Sequence, residues 1–132
     1  MIAVDTNVLV RLFVSDDPEQ TTLAQGLLED AIDEGSTCFV SAPVLCELEW
    51  VLASSYRASR SEVLAAIERL VQDPLFVFEN RNALLQALAA YRQGRAQFAD
   101  HLIGASAQAF GAETTFTFDR ALRGSAGFSM LE

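Results

Sequence analysis

The chain has 132 residues and a mass of 14.4 kDa, which suits one domain, residues 1–132, and leaves no room for a second independent core. Hydrophobic residues make up 51% and charged residues 20%, with a mean hydropathy of +0.22, so the composition excludes a disordered chain. Nine basic residues, all of them arginine, stand against eighteen acidic ones for a formal charge of −9; the absence of lysine excludes Schiff-base chemistry and a P-loop lysine, and the acidity argues against a nucleic-acid enzyme.

Residues 2–4 read as a first strand. Asp5 and Arg11 interrupt what a signal peptide would need as its apolar region, and no run of about 18 apolar residues follows, so no membrane span and a cytoplasmic location are expected. Asp5 ends the strand and opens a helix, DTNVLVRLF. Asp17-Pro18 with Gln20 starts the next helix, whose stripe is Leu23, Leu27, Leu28, Ala31 and Ile32. After a break at 33–35, Cys38–Val40 forms a second strand and Ser41-Ala42-Pro43 opens a helix over 43–54 with the stripe Val44, Leu48, Val51 and Leu52. Cys38 and Cys46 fit neither a disulfide framework nor a zinc spacing and read as reduced core thiols.

Ser59 with Glu62 forms a capping pattern ahead of Leu64, Ile67, Leu70 and Val71. Asp73-Pro74 stops that helix, 75–78 forms a third strand, and a helix covers 81–92 up to the break at Gly94. The helix Phe98–Phe110 carries the single histidine, His101, which excludes paired-histidine acid–base catalysis; a fourth strand, 114–118, ends at Asp119. Trp50, Tyr56 and the small residues Gly104, Ala105 and Ala109 suit either core packing or an interface. This alternation of strand and helix predicts an α/β fold with a parallel sheet, whose strand C-termini and helix N-termini share one edge.

Asp5, Glu47, Asp100 and Asp119 are all placed toward that edge. Each aspartate is equally readable as a helix cap, and Glu47 as a border residue of its helix stripe. Glu49 borders the other side of the same stripe, and only its greater distance from the helix start favours Glu47 over it. Gathered carboxylates repel unless a cation lies among them, and an oxygen-only donor set suits Mg²⁺ or Mn²⁺. Thr6, Asn7 and Thr117 have short polar groups that either orient those carboxylates or serve as turn and cap residues.

Four segments together, MIAVDTNVLVRL, ELEWVL, FADHLIGASA and TFTFDRAL, resemble the PIN-domain ribonucleases, especially the VapC-type toxins of bacterial toxin–antitoxin pairs. The resemblance spans nearly the whole chain and agrees in order and spacing as well as in residue type. It implies a three-layer α/β/α sandwich with a central, mainly parallel sheet and a short last strand near 127–131. It further implies a Mg²⁺-dependent endoribonuclease, with Mn²⁺ as substitute, in which activated water attacks phosphorus in line and the 3′ oxygen leaves.

By the same resemblance Asp5, Glu47 and Asp100 are the principal metal holders, and Asp119 serves a second metal or acts through water. A homodimer and a VapB-type antitoxin that blocks the cleft are implied as partners. Arg11, Arg120 and Arg123 are candidate RNA contacts, whereas Arg92 and Arg95 read better as solvated helix surface. One alternative is a PIN-like binding module without catalysis. A haloacid-dehalogenase-type phosphatase is a poorer fit, because Asn7 stands where that family has a second aspartate and lysine is missing.

Overall fold

Three short strands, β1 (Ile2–Ala3), β2 (Cys38–Val40) and β3 (Phe76–Phe78), pair in parallel in the order β1-β2-β3, with Ile2 opposite Cys38 and Cys38 opposite Phe76. The computed structural model describes residues 1–132, which divide into two compact units, Met1–Glu79 and Asn80–Glu132. Parallel neighbours need crossovers, and helices supply them. In the first unit α1 (Thr6–Phe13) and α2 (Pro18–Asp33) connect β1 to β2, and α3 (Ala42–Ser55) and α4 (Arg60–Gln72) connect β2 to β3.

The helix starts follow from local chemistry. Asp17 accepts the Gln20 N–H at 3.0 Å with Pro18 at the first helical position, and Ser41 accepts the Val44 N–H at 3.3 Å. Ser59 and Glu62 form a reciprocal capping box, with bonds of 3.1 and 2.9 Å. The backbone and hydroxyl of Ser59 hold the Glu62 carboxyl below its ordinary range. The core of this unit is built from Leu9, Val10, Cys38, Val40, Leu45, Leu48, Ile67 and Leu70, all at most 2% exposed. Each buried leucine, isoleucine or valine contributes about 1.5–3 kcal/mol.

One expected stripe is corrected. Helix α2 buries Ala24, Leu28 and Ala31, while Leu23, Leu27 and Ile32 are 67%, 41% and 59% exposed. Helix α2 packs on α1, and the buried face of α2 carries one large side chain, Leu28, between two small ones, Ala24 and Ala31.

The second unit contains α5 (Arg81–Gln93), α6 (Phe98–Phe110), and β4 (Thr115–Thr117) and β5 (Phe128–Met130) paired in parallel, with a 3₁₀ turn at Arg120–Leu122 between the strands. Helices α5 and α6 pack together, the Tyr91 ring meeting the Phe98 ring edge-on at 6.0 Å, and Leu84, Leu88 and Leu102 of these helices are buried. Gly104 permits the close approach of α6 to β5, because a Cβ there would lie 2.5 Å from the Phe128 ring. Gly104 and Ala105 are therefore packing residues of this unit. The chain is thus an α/β protein with parallel sheets, and no helix is long and apolar enough to cross a membrane.

Candidate active site

Asp5 follows β1 in extended backbone and caps α1, its Oδ1 accepting the Thr6 N–H at 2.7 Å. Thr6 is 2% exposed, and its hydroxyl donates to Glu47 Oε1 on α3. One buried threonine thereby holds two acids from distant parts of the sequence, the first through its backbone and the second through its side chain.

Helix periodicity left Glu47 and Glu49 undecided, and packing separates them. Helix α3 buries Leu45, Leu48, Glu49 and Leu52, so Glu49 lies on the inner face at 5% exposure and Glu47 on the open face beside Thr6. Two positions along a helix differ by about 160° in direction, so only one of the pair can face the Asp5 end.

In the second unit Asp100 is half-buried in the first turn of α6, its Oδ2 accepting the Gln97 N–H at 3.0 Å. Asp119 is exposed after β4 and caps the 3₁₀ turn, its Oδ1 accepting the Ala121 N–H at 2.9 Å. Its own N–H donates to Thr117 Oγ1 at 3.0 Å. Capping is therefore real at all three aspartates, but it occupies one oxygen of each and leaves the other without a donor. Glu47 has the same half-committed state. Capping and cation binding are compatible at every one of these positions, and the oxygen-only donor set fits a hard divalent cation. The structure shows no group of three or more histidine, cysteine, aspartate or glutamate side chains that could hold a metal ion.

The arginines divide. Arg11 is 14% exposed and pairs with Asp16, whose second oxygen accepts the Tyr56 hydroxyl at 2.8 Å. That hydroxyl, with the guanidinium, holds the Asp16 carboxyl below its ordinary range. Arg123 forks onto Glu132 at 2.8 and 3.1 Å, and Arg120 is exposed. Asn7 is exposed along a groove that Val8, Arg11, Leu23 and Leu27 also line.

Two contacts escaped the sequence reading. The Arg11–Asp16–Tyr56 strut joins the α1–α2 turn to the end of α3 and leaves no local signature. Glu79, directly after β3, accepts the Ala42 N–H at 2.8 Å in the first turn of α3. Its position after a strand is the same signal that marked Asp5 and Asp119.

A family model of the PIN domain matches residues 2–126. The chain is also similar to a VapC ribonuclease of Aquifex aeolicus (strain VF5), with 27% identity over 120 residues, covering 91% of this chain and 88% of that protein. The family match leaves the phosphatase alternative without support.

Proposed function

The chain belongs to the PIN domain family, and on that premise we propose that it is a divalent-metal-dependent endoribonuclease acting as the toxin of a VapBC-type pair. Residues 1–132 act as one PIN domain in this reading, in the cytoplasm and as a homodimer, with RNA as substrate and a VapB-type antitoxin as inhibitor. Asp5, Glu47, Asp100 and Asp119 hold Mg²⁺, with Mn²⁺ as a substitute. The observation that carries the reading is the Thr6 link, which holds Glu47 to the helix start capped by Asp5.

A bound cation supplies charge neutralisation, polarisation of a phosphoryl oxygen and an acidified water. The chain's own residues prepare for it. Thr6 fixes the Glu47 carboxylate from a buried position, so the ligand is oriented before the cation arrives. The capping N–H groups of Thr6, Gln97 and Ala121 neutralise part of the charge on Asp5, Asp100 and Asp119. Thr117 steadies the backbone that carries Asp119.

The test is cleavage of a structured RNA by purified, partner-free protein. Activity is expected with Mg²⁺ or Mn²⁺, none in chelator, and a loss of about 10³-fold for Asp5→Ala, equivalent to about 4 kcal/mol of transition-state stabilisation. Equal cleavage by wild type and Asp5→Ala would assign the activity to a contaminant.

A further inference from the structure

We infer that Trp50 is a stacking platform for an unpaired RNA base beside the acidic site, an inference that rests on the nuclease reading above. Trp50 is 65% exposed on α3. It follows Glu47 by three positions, and residues so spaced are neighbours on a helix surface. Helical side chains lean toward the helix N-terminus, so an indole at position 50 covers the turn that carries Glu47. Ser54, the next residue along that face, donates to the Trp50 carbonyl. Tyr91 and Phe98 make a ring contact with each other, and Arg69 lies over the Phe13 ring.

Charge decides what the ring is for. A chain of −9 gains nothing from long-range attraction to phosphate, and Arg11 and Arg123 are already committed to Asp16 and Glu132. Stacking on an aromatic ring is an RNA contact that does not draw on phosphate charge, and it selects unpaired bases, whose faces are open. The favoured substrate is accordingly a loop or single strand, with one base on Trp50 and its phosphate directed toward Glu47.

Trp50 is the single tryptophan of the chain, so indole emission reports this position alone. The full-length protein is titrated in chelator, where RNA stays intact, with an unpaired RNA oligonucleotide and with the same strand in a duplex. Saturable quenching by the unpaired strand is expected, at least tenfold weaker for the duplex. In the cleavage assay Trp50→Ala is expected to raise KM about tenfold with kcat little changed, and Trp50→Tyr to restore most of the loss. Emission that ignores RNA, equal quenching by the duplex, or emission that changes with protein concentration alone would overturn the inference. The last of these would place a second copy over the ring. The quenching experiment needs no cleavage, so it scores Trp50 even if wild type cuts no faster than Asp5→Ala and the nuclease reading itself fails.

Discussion

The first unit holds one of its acids by a means the second unit does not use. In Met1–Glu79, Glu47 is fixed by a side-chain bond to Thr6, from another helix and far away in sequence. In Asn80–Glu132, Asp100 and Asp119 are each fixed by backbone N–H groups within three residues. Local caps form wherever the helix start forms, whereas the Thr6 bond exists only when α1 and α3 are packed. The placement of Glu47 is thus a consequence of tertiary structure, whereas Asp5 in the same unit and Asp100 and Asp119 in the other are held by short sequence motifs.

The sharpest way to break this comparison is on α3. Glu47→Gln is expected to lower cleavage about 100-fold with the fold intact, since the amide keeps the shape but loses the charge that a cation needs. Glu49→Gln, on the buried face, should keep most activity; circular dichroism and initial rates separate the two. The reverse pattern would mean that the open face of α3 is not the working one. A smaller effect separates the hydroxyls. Thr6→Val removes a long-range link at a buried position and should cost about tenfold in rate and about 1 kcal/mol in stability. Thr117→Val removes only an acceptor for the Asp119 N–H and should stay within about twofold, because Asp119 keeps its cap on Ala121.

The smallest expected effect concerns the strut behind the first unit. The Asp16 carboxyl is depressed by Tyr56 and Arg11, so its stabilising contribution is complete above the ordinary carboxylate value of about 3.9 and is lost as pH falls through the lower native value. The difference in denaturation midpoint between wild type and Asp16→Asn should therefore be constant from about pH 7 to 5 and shrink below about pH 4.

The same contrast between local and distant contacts governs how much was legible. Ser59 with Glu62 and Asp17-Pro18 with Gln20 marked helix starts correctly, because a cap is decided within a few residues. The β-branched and aromatic runs located the strands, and the order of the four acids pointed to the family. Packing between elements was not legible. Leu23, Leu27 and Ile32 have the right character for a core but are exposed, while Ala24, Leu28 and Ala31 of the same helix are buried. The choice between Glu47 and Glu49 needed the rotation of α3, and the commitment of Arg11 to Asp16 and Tyr56 needed the end of α3 beside the α1–α2 turn.

Mn²⁺ binding to wild type, Asp5→Ala and Asp100→Ala, followed by electron paramagnetic resonance, tests most directly whether acids from both units serve the same ion. Saturable binding by wild type and its loss in both variants is the predicted result. Binding that survives in Asp100→Ala at wild-type strength, or no saturable binding by wild type at all, would contradict the shared site.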